Sequence, residues 1–237
     1  MIYDRALTRE LFDLGLRVAS QPAGPTPSGR RLADSLRAVV SAQEATGKTK
    51  DCLSHVWVVP PAPAAPMIGW AIEHQDLDPE RVLLHFGALL ATFPFAGAVC
   101  SVIGRSLRLD GAVVPIQVRD EVRKLLGDRS TIDVGARKVA TTLRYLGLLD
   151  GPPAGPLIAT KRSVPAELTA WMAHAVLLTR RATAVSLDDL SNAHELAVLA
   201  VKPTALRGYL LLEDYTENGH SILAVKPAPS DAGGRLF

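Results

Sequence analysis

Residues 113–162 are the stretch of sequence that most narrows the range of possible folds. Pro115 begins an amphipathic run that stops at Gly127, and after a short polar turn a second amphipathic run stops at Gly147. Proline is favoured at a first helical position, and glycine commonly follows a helix. The pattern predicts two helices joined by a tight turn. A two-stranded hairpin is then expected over residues 148–159, which completes the order of a winged helix-turn-helix.

The second predicted helix has an apolar face and, opposite it, a cationic stripe. Arginine can hold guanine through two hydrogen bonds, while threonine and lysine suit thymine methyl groups or phosphates. Ser130 and Thr131 are both good N-cap residues, and the free N–H groups of a helix N-terminus favour phosphate. The predicted DNA-contacting residues are Arg129, Ser130, Thr131, Arg137, Lys138, Thr141, Arg144, Lys161 and Arg162.

Each part of this set has an expected role. Arg137, Thr141 and Arg144 are predicted to face the major groove, and the residues at the helix N-terminus are predicted to contact phosphates. The pair after the hairpin, Lys161 and Arg162, is expected to reach the DNA backbone or the minor groove from the wing.

The distribution of charge along the chain supports DNA binding more strongly than the total charge does. The whole chain has a formal net charge of only +2. Residues 100–162, however, hold eleven Lys or Arg against six Asp or Glu, a net +5, and the remainder is −3. A basic stretch within an otherwise acidic chain is what phosphate binding requires.

Composition favours helices elsewhere, because aromatic residues are only 5% of the chain and Leu, Val and Ala must supply the core. The expected fold class is mainly α, a helical bundle with a central winged helix-turn-helix and a small C-terminal α/β element. Expected helices span residues 3–19, 30–46, 67–74, 79–91, 95–109, 165–180 and 203–212, and expected extended segments span 55–59 and 221–225. Four parts are predicted: a helical extension with Pro-rich loops (1–66), the DNA-binding domain (67–162), an α+β subdomain (163–226) and a disordered tail (227–237).

A charge-free stretch at residues 82–104 is long enough to cross a bilayer. His85 and the Phe93-Pro94-Phe95 break in its middle instead favour two buried helices. We therefore expect no stable membrane insertion. Residues 1–10 carry mixed charge without a following apolar segment, which argues against a signal peptide, and two distant cysteines suit a reduced, cytoplasmic location.

Motifs for catalysis or metal binding are weak. His194-Glu195 lacks the second histidine of a zinc-binding helix, and no His or Cys pair has metal-ligand spacing. His85 lies in an apolar run and is expected to be a hydrogen-bonded core residue. Cys52 follows two lysines, which would lower the pKa of its thiol, but no partner base is evident. We expect neither an enzyme nor a bound cofactor or metal.

The order of elements also resembles a known family. A largely apolar helix at 95–109 precedes the helix-turn-helix, which closes with Thr142-Leu-Arg-Tyr-Leu-Gly-Leu-Leu149. His194-Glu-Leu-Ala-Val-Leu-Ala200 and a final strand follow. Residues 80–225 thereby resemble the BrxA-type proteins of bacteriophage-exclusion (BREX) systems, which are mostly helical, winged-helix, DNA-binding accessory factors. The resemblance implies double-stranded DNA and other defence-system subunits as partners, and no enzymatic activity.

Two other functions stay open at this point. A transcriptional regulator would share the same local features. A protein-interaction subunit could use the winged helix to dock a partner without touching DNA, and a membrane anchor at residues 82–104 is a weaker third reading. The sequence does not define the oligomeric state.

Overall fold

A computed structural model describes residues 3–40, 43–152, 155–202 and 209–226 of the chain. Its α-helices are α1 (Arg9–Ser20), α2 (Ser28–Arg37), α3 (Gln43–Leu53), α4 (Ala65–Glu73), α5 (Val82–Thr92), α6 (Pro94–Asp110), α7 (Pro115–Leu126), α8 (Ser130–Tyr145), α9 (Ala166–Arg180) and α10 (Leu187–Ser191). Its strands are β1 (Leu149–Asp150), β2 (Ile158–Ala159), β3 (Arg162–Ser163), β4 (Ala184–Ser186), β5 (Leu199–Ala200), β6 (Leu212–Glu217) and β7 (His220–Val225). The described chain is mainly helical, with a small strand element near its C-terminus, as the composition predicts.

Two apolar helices, α5 and α6, occupy the centre of the molecule and meet at a bend of 114°. Every residue of α5 is buried, and Pro94 begins α6 directly after the bend. A Cβ at Gly87 would lie 2.2 Å from Nε1 of Trp171, so only glycine allows α9 this close. Within the described ranges no single helix is long and apolar enough to span a membrane. Only by length and composition could α5 and α6 do so together.

The N-terminal region departs from its predicted elements. The helix expected from residue 3 begins only at Arg9, because Thr8 accepts a hydrogen bond from the N–H of Leu11 and caps it. The single helix expected over 30–46 is instead α2 and α3. The segment expected to be extended at 55–59 is a π-helical turn (Ser54–Val58) that continues α3 and buries Trp57. A short apolar run does not by itself distinguish a strand from a helical segment.

The predicted pair of helices joined by a tight turn is found as α7 and α8. Gly127 follows α7 with φ +98°, a conformation that glycine adopts at little cost. Gly147 follows α8 with φ +68°. The N–H groups of Gly147 and Leu148 there donate to the carbonyls of Arg144 (2.9 Å) and Leu143 (2.8 Å).

The N-cap assignment at α8 was wrong. The helix begins at Ser130 and its N-cap residue is Arg129, whose side chain makes no capping hydrogen bond. Ser130 and Thr131 therefore lie inside the first turn. Among the described residues no side chain caps the helix, so its first N–H groups have no capping partner there.

A hairpin follows α8. β1 and β2 pair antiparallel through Leu149↔Ala159 and Asp150↔Ile158. On the other side of β2, Val113 and Leu157 exchange two backbone hydrogen bonds of 2.7 and 2.8 Å. The short segment between α6 and α7 is thereby joined to the hairpin. Residues 153–154 of the hairpin loop lie outside the described ranges.

The C-terminal part combines α9 with two small sheets. β4, β7 and β6 form an antiparallel sheet in that order, and β3 pairs parallel with β5. The prediction of a helix over 203–212 is wrong at its end, because Leu212 begins β6. Residues 203–208 and the predicted disordered tail, 227–237, lie outside the described ranges.

Buried side chains from all parts of the described chain belong to one hydrophobic core. Leu7 and Phe12 from the N-terminal region, Leu143 of α8 and Trp171 of α9 are all essentially inaccessible. The predicted division at residues 66, 162 and 226 is not tested by this packing and stays a prediction.

Candidate nucleic-acid interface

The polar face of α8 projects from the molecule instead of packing inward. Arg129, Ser130, Thr131 and Arg137 are exposed, and Lys138, Thr141 and Arg144 are half-buried. The opposite face, with Ile132, Ala136, Val139 and Leu143, is buried. The structure thus brings seven of the nine predicted residues together along one exposed ridge.

One side of this ridge is a cationic depression, here called the basic groove. Its volume is about 610 Å³. Its lining consists of Asp4, Arg5, Lys48, Ser130, Thr131, Val134, Arg137 and Lys138. Of the side chains that the structure describes, four cations and one carboxylate from three separate segments meet there. Sequence reasoning missed Arg5 and Lys48, because nothing in the local pattern links either position to a helix that begins more than 80 residues later.

The other side of the ridge is the apolar groove, with a volume of about 420 Å³. Most of its lining is apolar, from α7, α8 and the hairpin: Val113, Pro115, Ile116, Val118, Val134, Ala136, Ala140 and Leu157. The polar members are Arg119, Asp133, Arg137, Thr141 and Arg144. Val134 and Arg137 line both grooves, so this part of α8 is the crest between them.

Cations near the crest differ in what they contact. Within the described ranges, the guanidinium groups of Arg129 and Arg137 and the ammonium of Lys138 make no ion pair or hydrogen bond. Arg123 of α7, by contrast, is bonded to Asp128, which raises the pKa of Arg123, and lies 3.5 Å from Asp133. Arg123 therefore offsets the acidic groups nearest the ridge and leaves the cations of α8 uncompensated.

The distal half of the ridge is held by hydrogen bonds. The Thr141 hydroxyl donates to the carbonyl of Arg137 (2.8 Å), which leaves its methyl group and its two acceptor lone pairs for a ligand. Nη2 of Arg144 donates to the carbonyl of Gly151 (2.9 Å) at the start of the hairpin loop. Arg144 thus fixes the hairpin against α8, and only its remaining N–H groups could reach a base.

Lys161 and Arg162 are not brought to the hairpin tip. They follow β2 at the base of the hairpin, and Nζ of Lys161 donates to the carbonyl of Ala197 (2.7 Å). Arg162 pairs with Glu80 (2.5 Å). Both cations are used to join the hairpin to neighbouring segments, so the expected wing contacts with DNA have no support in this arrangement.

An unforeseen contact joins the N-terminus to α8. Residues 3–7, here called the arm, lie against α8, and Tyr3 and Leu7 at the two ends of the arm both bond the buried hydroxyl of Thr142. Tyr3 Oη lies 2.8 Å from Thr142 Oγ1, and the N–H of Leu7 donates to the same oxygen (3.0 Å). Burial raises the pKa of Tyr3 far above its ordinary value, so this phenol stays neutral.

Other candidate groups are buried and structural. Burial raises the pKa of the Cys52 thiol to about 12, and nearby Asp4 adds to this effect, so the expected lowering by lysines was wrong. His85 is fully buried and bonds Asp13 (3.0 Å), as predicted for a core histidine. In the described part of the chain, no three His, Cys, Asp or Glu side chains are grouped to hold a metal ion.

Comparison of the chain with protein-family models, with curated proteins and with solved structures finds no match. The interpretation of the ridge and its two grooves therefore depends on their geometry and charge.

Proposed function

We propose that this protein binds double-stranded DNA through a winged helix-turn-helix, with α8 in the major groove. The three-helix order α6, α7, α8, the hairpin after α8 and the bridge between Val113 and Leu157 are the elements that such a module needs. The protein acts by binding and not by catalysis, and its compartment is the cytoplasm.

The observation that carries the proposal is the exposed, uncompensated crest of α8. A positively charged side chain without an acidic partner gains little within the protein, whereas a phosphate or a guanine edge supplies its missing acceptors. Arg137 is central on the crest, and the uncapped N-terminus of α8 adds free N–H groups and the positive end of the helix dipole. Arg137 and the N-terminus of α8 both lie on the exposed side of the helix.

The apolar groove favours a second candidate, a subunit that docks a partner protein. Ile116 and Val134 in its lining are 57% and 38% exposed, more than a purely electrostatic interface needs. A partner helix could cover them, as amphipathic helices do in hydrophobic grooves. DNA binding and docking differ sharply in their dependence on salt.

Duplex binding measured against salt concentration separates the two. About three to five phosphate contacts give a slope of about −3 to −5 for log K against log salt. Arg137→Ala should weaken binding of a preferred duplex by about tenfold or more, because a base-contacting arginine is worth roughly 1–3 kcal/mol. Absence of duplex binding near 0.15 M salt would leave the docking function as the better reading.

A matched control is Arg30→Ala. Arg30 is an exposed arginine of α2 that lines neither groove, so it changes net charge by the same amount. It should leave the affinity almost unchanged. Equal losses in the two variants would mean that total charge and not the ridge determines binding.

For the biological role, we propose an accessory factor of a phage-exclusion system, or else a transcriptional regulator, on the resemblance of residues 80–225 alone. The first role predicts that the gene lies among defence genes and that its deletion raises phage plating efficiency. An unchanged plating efficiency together with altered transcription of neighbouring genes would favour the regulator.

A further inference from the structure

The basic groove gathers charges of one sign more closely than the fold requires. Arg5, Arg137 and Lys138 line it together with Lys48, and within the described ranges Asp4 is the one acidic residue in its lining. Like charges brought together in this way repel one another unless an anion lies between them. Nε of Arg5 is in addition buried without a hydrogen-bond partner. Arg5, Arg137 and Lys138 alone already form a patch of positive charge that a polyanion would stabilise.

The position of Arg5 is built into the fold. Tyr3 and Leu7 flank it and are fully buried, and both are bonded to Thr142. Thr142 lies one helical turn after Lys138 and two after Val134, which are groove residues, so the arm runs beside that stripe of α8. Two anchors four residues apart hold Arg5 against the ridge.

We propose that the arm is a second wall of the DNA interface, in which Arg5 contacts a backbone phosphate beside the groove occupied by α8. This inference rests on the proposed function and adds a contact from outside the helix-turn-helix. A phosphate contact carries no base information, so the arm contributes affinity for any duplex and α8 contributes the preference among duplexes.

The test compares Arg5→Gln, Arg5→Lys and Arg9→Gln on two duplexes, one preferred and one scrambled, over a range of salt. Arg9 is exposed in the first turn of α1 and lines neither groove, so it is a control of equal charge. One contact fewer reduces the slope by about 0.9, which corresponds to about fivefold weaker binding near 0.15 M salt. Arg5→Gln should show this loss equally on both duplexes, Arg5→Lys should retain most of the slope, and Arg9→Gln should behave as the original protein.

The outcomes separate the two proposals. If the original protein binds duplex and Arg5→Gln behaves like Arg9→Gln, the arm contact is overturned and the function of α8 stands. If Arg5→Gln changes the preference between duplexes, Arg5 reads bases and the phosphate assignment is wrong. If the original protein binds no duplex, both proposals fail together. Thermal unfolding of each variant checks that the chain remains folded.

Discussion

The N-terminal part of α8, up to Lys138, and its C-terminal part have opposite relations to the rest of the protein. In the N-terminal part, Arg137 and Lys138 have no partner among the described residues, and none of the described side chains caps the helix. In the C-terminal part, Thr142 is bonded to the arm and Arg144 to the hairpin. Fixing one part of a helix from two sides presents the other part in a set orientation. Substitutions of the unpartnered cations should therefore change binding, and substitution of Thr142 should change stability.

The largest expected effect is on binding. Replacing Arg129, Arg137 and Lys138 together with alanine removes the N-cap residue's cation and two cations from the N-terminal part of α8. Three contacts fewer correspond to a loss of at least about a hundredfold near 0.15 M salt and a slope smaller by about 2.7. The free energy of unfolding should stay within about 0.5 kcal/mol, since these side chains have no partners within the described ranges. A large loss of stability would show that the N-terminal part, too, is structural.

The next effect is on stability, at Thr142. Thr142→Val leaves the hydroxyl of Tyr3 and the N–H of Leu7 without a buried partner, which costs about 2–3 kcal/mol of unfolding free energy, measured by urea denaturation. The matched control is Thr141→Val, one residue away, whose hydroxyl bonds only the backbone of its own helix. It should change stability by less than about 0.5 kcal/mol. Equal losses would mean that the arm is not anchored as described.

The positions of α7 and α8 are predictable from the sequence because their signals are local. Pro115, Gly127 and Gly147 mark where these two helices begin or end, as the sequence predicts. The polar stripe of α8 was also predictable, since helical periodicity alone places it opposite the core.

Other positions depend on contacts distant in the sequence. The apolar spacing predicts Leu7 as part of α1, but its backbone N–H is bonded to Thr142 and the helix begins at Arg9. The sequence predicts Lys161 and Arg162 as DNA contacts, and in the structure they bond the carbonyl of Ala197 and the carboxylate of Glu80. A count of basic residues cannot distinguish a free cation from a paired one, and that distinction separates the ridge from the base of the hairpin.

Lowering the pH should reduce the free energy of unfolding through buried histidines, not through the cations of α8. Burial lowers the pKa of His174 from 6.5 to about 4 in the folded protein. The unfolded chain then binds a proton more readily below pH 6.5, so stability is lost as the pH falls from about 6.5 to 4 and amounts to about 2 kcal/mol at pH 5. His174→Gln should remove most of this slope in urea unfolding, with a remainder from His85, whose pKa burial also lowers. A variant as pH-dependent as the original would contradict this assignment.

The smallest expected effect distinguishes paired cations from free ones. Arg162→Ala removes a partly exposed ion pair with Glu80, and such pairs contribute about 0–1 kcal/mol to stability. Because the guanidinium of Arg162 is already paired, at the base of the hairpin and away from its tip, its loss should leave the salt slope of duplex binding unchanged. Glu80→Gln is the matched change, since it frees Arg162 without removing it. A slope that falls in Arg162→Ala by about 0.9 would show that Arg162 exchanges Glu80 for a phosphate, and the basic contact surface would then extend from the crest of α8 to the hairpin after all.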